Sequence, residues 1–319
     1  MDLLGEHLAE RAAETAVTWP YADFGSPSKV VSEVEDKELG TTVVTFSNGS
    51  RLMVKQTAFD KDKIYIDVSL GNGRAGAPPE LVHALWAAEL MPLGGTGKLT
   101  VTDIQRWAQG GGKAVGVQAQ AGTRAFHLTG MTRPADFLSQ MQLLAGYARD
   151  PGFRPELGDK LAAIAPMIAG QVEANAGAVF ERESQRLFGG GDSRFDEVPS
   201  QTDLAATKPA ELSALMQGAL TGPADVTIVG DIDVPTAIAA MQSTFGAGST
   251  AAPSGRWVRI KSVRARSSSS RRAGSASFAL VEICPFARCD SRFPSAAIRP
   301  QPVVPRPGSR PRMISRVSP

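Results

Sequence analysis

Pro78-Pro79-Glu80-Leu81-Val82-His83-Ala84-Leu85-Trp86-Ala87-Ala88-Glu89-Leu90-Met91-Pro92-Leu93-Gly94-Gly95-Thr96-Gly97-Lys98-Leu99-Thr100 is the stretch around which the chain is organised. Leu81, Leu85 and Ala88 recur at i, i+4 and i+7, with Val82, Trp86 and Glu89 beside them, so the spacing predicts a largely buried helix. Pro78-Pro79 stands where a helix begins, and the glycines from Gly94 stand where it ends. The turn superficially matches a phosphate loop, which needs a Gly five residues before its Gly-Lys pair and Ser or Thr after it. Those positions are Pro92 and Leu99, which argues against a nucleotide site.

Before this stretch, Thr41 to Thr57 reads as a hairpin, because Asn48-Gly49 separates two β-rich runs. Ile64, Ile66, Val68 and Leu70 then alternate with polar residues and predict a third strand, buried on one face and wet on the other. Gly71-Asn72-Gly73-Arg74-Ala75-Gly76 satisfies G-x-G-x-x-G literally. That fingerprint requires a strand buried on both faces and a helix opening within the glycines, and Pro78-Pro79 delays the helix too far. The glycines are expected to make a strand-to-helix turn.

After it, Val101 to Gln109 predicts a helix, and Ala114 to Ala121 with Arg124 to Met131 a second hairpin. Phe137, Met141 and Leu144 fall at helical spacing within Pro134 to Arg149, and Pro155 to Phe188 reads as a long helical region interrupted at Pro166. Pro209 to Leu220 and Pro235 to Phe245 predict further helices flanking a strand at Asp225 to Asp231. His7, His83 and His127 are isolated, with no partner at metal-ligand spacing. His83 is the most tempting, six residues before Glu89, but that spacing does not bring both to one helical face.

Composition bounds the rest. The 319 residues are 42% hydrophobic, ordinary for a globular protein with a sizeable core. The net charge of +2 conceals a division: from Ala251 onward thirteen Arg and one Lys face only Glu282 and Asp290, leaving 20 basic and 30 acidic residues before it. The segment 249–319, rich in Arg, Ser and Pro, is expected to be disordered, as a frame-shifted end, a basic tail attracted to nucleic acid or anionic surfaces, or a flexible linker. Cys284 and Cys289 lie there as C-x₄-C with no His or further Cys nearby, a weak basis for metal or disulfide. No apolar run is long enough to span a membrane, and the first residues show no signal-peptide pattern. The compartment stays open.

The central stretch resembles the pitrilysin/insulinase family of zinc peptidases, the inverzincins, whose motif is H-x-x-E-H on a helix followed by a hydrophobic-Gly-Thr turn. Aligned on Met91 and the Gly-Thr turn, the motif falls on Trp86-Ala87-Ala88-Glu89-Leu90, so only Glu89 survives while Trp86 and Leu90 replace the histidines. In active members the third zinc ligand is a Glu in the long helical region. Counting back from Leu187-Phe188-Gly189 puts Pro166 or Met167 at its position. Trp19-Pro20-Tyr21-Ala22-Asp23-Phe24-Gly25-Ser26-Pro27 also resembles the linker joining the halves of long members, and the likeness extends from Trp19 to Gly248.

The expected architecture is α+β, an antiparallel or mixed sheet of about five or six strands with helices on one face. The expected division is 1–39 as N-terminal helix (Leu3 to Ala16) and linker, 40–248 as an inactive peptidase-like domain, and 249–319 as the tail. The resemblance implies a catalytically silent domain with no catalytic, cofactor-binding or metal-ligating residue and no cofactor of its own, zinc belonging to active relatives. Its partners would be peptide or unfolded polypeptide and a catalytic peptidase half, not membrane or nucleic acid, and its parent a bacterial periplasmic or secreted protein. The competing readings are an active zinc metalloendopeptidase using Glu89 with unrecognised ligands and a basic-tail nucleic-acid binder.

Overall fold

The computed structural model describes residues 17–188, 192–195 and 198–248. The helix expected at Leu3 to Ala16, His7, and the tail with Cys284 and Cys289 lie outside the described residues. The chain divides into two units, Met1–Val258 and Arg259–Pro319, and everything described below belongs to the first.

Seven strands form one open sheet in the order β1-β2-β3-β7-β4-β6-β5. They are β1 (Val30–Asp36), β2 (Thr41–Phe46), β3 (Arg51–Gln56), β4 (Ile64–Leu70), β5 (Gln118–Ala121), β6 (Phe126–Thr132) and β7 (Ala224–Gly230). Only β3 and β7 run parallel; the other neighbours are antiparallel. The β2–β3 hairpin turns at Asn48-Gly49, where Gly49 takes φ 86° and the Asn48 carboxamide accepts the Ser50 N–H.

One face of the sheet is dry. Val44, Phe46, Leu52, Val54, Ile66, Val68, Leu128, Val226 and Ile228 project from it into the core, each at most 2% exposed. The helices α1 (Val101–Gly110), α2 (Phe137–Arg149), α3 (Pro155–Ala174), α4 (Ala176–Phe188), α5 (Gln201–Ala206), α6 (Pro209–Leu220) and α7 (Val234–Ser243) contribute to the described part, and α2, α6 and α7 supply its most buried helical residues. Met141 and Leu144 of α2, Leu212 of α6 and Met241 of α7 are fully enclosed, each burial contributing roughly 1.5–3 kcal/mol. The opposite sheet face carries Tyr65, Asp67, Ser69, Thr129, Met131 and Thr227 and remains half-exposed or exposed, as the alternation in β4 requires.

Several elements depart from expectation. The sheet begins at Val30, within the stretch read as linker; β1 is exposed at all seven residues, so neither face carries an apolar repeat. α3 runs through Pro166, which sits on its exposed side, and the helical region breaks at Asn175 instead. Ala114 to Val117 is extended but is not paired in the sheet, which β5 joins only at Gln118. Pro79–Gly94 is helical as expected, but wound as a 3-10 helix over 16 residues, far beyond the few residues usual for this form. Its burial is not confined to one face: Ala84 to Ala88 are buried in succession, with Met91 and Gly94 beyond them.

The aromatic segment before β1 is locked down. Trp19 stacks on Trp107 of α1 with ring centroids 4.1 Å apart. The Tyr21 hydroxyl donates to Asp150 Oδ2 at 2.6 Å and accepts the Lys98 N–H at 3.0 Å. Tyr21→Phe leaves both groups without that partner and is expected to lower stability by about 1–2 kcal/mol, measured by urea denaturation.

Candidate functional site

The turn after the 3-10 segment has no free backbone N–H to cradle a phosphate. Gly95 N–H donates to Pro92 O, Thr96 to Leu99 O, Gly97 to Asp150 O, Lys98 to the Tyr21 hydroxyl, Leu99 to Thr96 Oγ1 and Thr100 to Asp103. Arg154 Nη2 donates to the carbonyls of Thr96 and Gly97 at 2.6 and 2.7 Å. The turn is a closed junction between the 3-10 segment and the start of α3.

The motif positions lie in the 3-10 segment. Trp86 is 8% exposed, and its indole Nε1 donates to Thr207 Oγ1 at 2.8 Å. Leu90 is half-buried against the core and Glu89 is exposed. The winding separates them further: positions four apart lie about 120° apart around a 3-10 helix, against about 40° in an α-helix. Residues 86 and 90 therefore do not share a face. Pro166 and Met167 are both exposed on α3. An indole, two apolar side chains and a proline ring offer no donor set that fits zinc, and among the described residues no three His, Cys, Asp or Glu come together as a metal site.

His83 turns from Glu89 toward α6. Its Nε2 lies 3.2 Å from Glu211 Oε2, an approach too poorly aligned for a hydrogen bond. Burial works to raise the Glu211 carboxyl, but the Lys208 N–H and neighbouring His83 outweigh it and hold the group below its usual value.

On the open sheet face, cross-strand register aligns Arg51, Asp225, Ser69, His127 and Gln120 in one row. Arg51 grips Asp225 through two bonds of 2.8 and 2.7 Å. His127 Nδ1 lies 3.0 Å from Asp67 Oδ1 and 3.3 Å from Ser69 Oγ. Carboxylate and hydroxyl meet the same ring nitrogen, whereas a proton relay needs one on each, so these three do not form a hydrolytic triad. Beside them a groove of about 790 Å³ runs between Tyr65, Thr129, Met131 and the extended segment Ala114 to Gln118.

That segment leads into β5, the strand at one edge of the sheet. Ala114 N–H donates to Asp136 Oδ2 at 2.9 Å, and its carbonyl accepts Thr132 Oγ1 at 2.7 Å. Gly116 N–H donates to Gln140 Oε1 at 2.9 Å, and its carbonyl accepts Gln140 Nε2 at 2.7 Å. In extended chain successive residues turn their polar groups to opposite sides. Val115, Val117 and Ala119 therefore turn theirs outward, and Val115 and Val117, which precede the paired strand, have no hydrogen-bond partner there among the described residues. The two edges differ in charge. β1 carries Glu33, Glu35 and Asp36, which discourage strand addition, whereas Val115-Gly116-Val117-Gln118-Ala119 has no charge and no proline. No local pattern advertises this edge, because the bonds orienting it reach across 18 to 24 residues.

Asp136 is nearly fully buried, and the Ala114 N–H, with Arg133 beside it, holds its carboxyl below the usual carboxylate value against the opposing effect of burial. The depressed native pKa means that its stabilisation is complete above the unfolded value of about 3.9 and is lost as pH falls through the native value. Thermal unfolding followed from neutral pH down to acid should show a fall in Tm below about pH 4 that is shallower in Asp136→Asn.

This architecture matches solved peptidases. The periplasmic protease PqqL of Escherichia coli superposes with a TM-score of 0.59 at 15% identity, over 74% of this chain and 26% of that one. The ferredoxin protease FusC, solved in complex with Arabidopsis ferredoxin, gives 0.56 at 14% identity, over 74% and 25%. An M16 peptidase inactive domain from Pseudomonas fluorescens gives 0.50 at 18% identity, over 67% and 53%. No family model and no curated protein matches the sequence.

The chain thus has the fold of the pitrilysin/insulinase-type (M16) peptidase domain. Its similarity extends to a domain of that class described as inactive. It spans about a quarter of the two full-length proteases. Among the described residues no helix is long and apolar enough to cross a membrane.

Proposed function

We propose that this chain is a non-catalytic domain of a pitrilysin/insulinase-type zinc peptidase that holds extended polypeptide and packs against a catalytic half. Two features support the reading: the sequence alignment that puts the apolar Trp86 and Leu90 where the motif has histidines, and an uncharged edge where alternation from the bonded Ala114 and Gly116 turns the backbone of Val115 and Val117 outward. An extended segment added there would gain a ladder of main-chain bonds, a sequence-tolerant mode suited to unfolded polypeptide. The 3-10 segment packs beside β5, so bound polypeptide would lie near the position occupied by the zinc helix of an active domain. The protease neighbours, one periplasmic and one bound to a protein, support a polypeptide partner and a periplasmic parent.

The test uses fluorescein-labelled random-sequence peptides long enough to cover Val115 to Ala119. Saturable binding that slows amide exchange at Val115, Val117 and Ala119 is expected. No binding, or binding that leaves those amides unprotected, would refute the edge as the site.

A further inference from the structure

We propose that Arg133, Asp136 and Gln140 are positioning residues for this edge, a side-chain ladder that presets the backbone for strand addition; the assignment rests on the polypeptide-binding reading above. Arg133 Nη2 donates to Gly112 O at 2.6 Å, Asp136 takes the Ala114 N–H, and Gln140 closes both bonds of Gly116. Ala114 and Gly116 are thus gripped two residues apart, the spacing of a β-ladder, although this stretch lies outside the paired sheet, and Gly112 is held in the turn that leads into it. The Gln140 carboxamide stands in for a backbone peptide, offering one acceptor and one donor to the same residue.

Two features fit these side chains to the ladder. Asp136 ends the 3-10 turn Pro134–Asp136 that leads into α2, and its side chain caps no helix N–H but takes the Ala114 N–H instead. Gln140 is fully buried, and it fits only because residue 130 is glycine: a Cβ there would lie 2.3 Å from Gln140 Nε2 and 2.8 Å from Gly116 O. Arg133 Nε pairs with Asp136 Oδ2 at 2.6 Å, tying these two side chains together, while Gln140 holds Gly116 beside them.

The consequence is preorganisation. A loose edge must lose backbone freedom when a peptide adds, whereas a gripped one has already lost it, so the ladder acts on affinity beyond its effect on folding. Its effect ends where β5 takes over the pairing at Gln118.

The experiment measures peptide affinity and Tm on the full chain for wild type, Gln140→Leu, Asp136→Ala, Asp136→Asn and Tyr21→Phe, with the same labelled random-sequence peptides. Gln140→Leu and Asp136→Ala are expected to weaken binding about tenfold or more and to speed amide exchange at Ala114 and Gly116. Asp136→Asn keeps an acceptor for Ala114 and should recover most of the affinity. Tyr21→Phe lowers Tm from a different part of the fold and should leave affinity unchanged. If the ladder variants lower Tm but bind like wild type, or if Tyr21→Phe weakens binding equally, the positioning role is overturned while the binding reading survives. If wild-type protein binds no peptide, the binding reading itself fails and the positioning role falls with it.

Discussion

Gly95→Ala is expected to destabilise the protein by about 3–5 kcal/mol, at the upper end for a single substitution. Gly95 sits at φ 70° and ψ −148°, a region essentially closed to residues with a side chain. An added Cβ would fall 2.4 Å from Leu99 O and 3.0 Å from the Thr100 carbonyl carbon. The turn has little room to relax, since Gly95 N–H is bonded to Pro92 O and its carbonyl accepts the Gly152 N–H at 3.0 Å. Next to it Gly94 and Gly152 meet back to back, each ideal Cβ lying within 2.2 Å of the other's carbonyl oxygen. Urea denaturation provides the measurement; a loss below about 1 kcal/mol would mean that the turn is not the rigid junction described.

The second large effect concerns the motif. Trp86→His replaces a buried indole with a smaller ring, leaving a cavity, and removes the 2.8 Å bond to Thr207. A loss of about 3 kcal/mol is expected from the cavity alone. Reconstructing the motif as Trp86→His with Leu90→His should still bring no stoichiometric zinc. In the 3-10 winding the two imidazoles point about 120° apart, and the third ligand position offers only Pro166 or Met167. Denaturation and elemental analysis of the double variant check both parts. Tight zinc binding would show that the segment rewinds readily into an α-helix.

Much of the fold is legible because its signals are local. Asn48-Gly49 announces the first hairpin, Ile64 to Leu70 alternates visibly, and the apolar spacing in α2 and α6 marks their buried faces. The structure has seven strands where about five or six were expected. The additional strand β1 is held by register with β2 alone and buries neither face, so composition carries no trace of it. α5 was missed although its signature is present: Ser200 and Asp203 form a capping box, with Asp in place of the usual Glu or Gln.

The candidate site is legible only in part. The replacements at Trp86 and Leu90 can be read from the chain, but the 3-10 winding that separates them cannot, because Leu85, Ala88 and Met91 satisfy a period of 3.0 as well as one of 3.6. The uncharged edge at Ala114 to Ala119 is less visible still. Its orientation is set by Asp136 and Gln140 reaching the backbone of Ala114 and Gly116 from another element, and neither propensity nor periodicity encodes such contacts. Asp136 in the first turn of a helix reads naturally as complementing the helix dipole, and only the structure reveals its bond to Ala114.

The central claim, a polypeptide-holding domain that has lost its catalytic metal, is tested most directly by zinc content and peptide hydrolysis measured together on the purified, tag-free full chain. The account predicts no stoichiometric zinc and no cleavage of peptides that the protein nonetheless binds. Zinc bound at one equivalent, with hydrolysis abolished by a chelator and by Glu89→Gln, would contradict it.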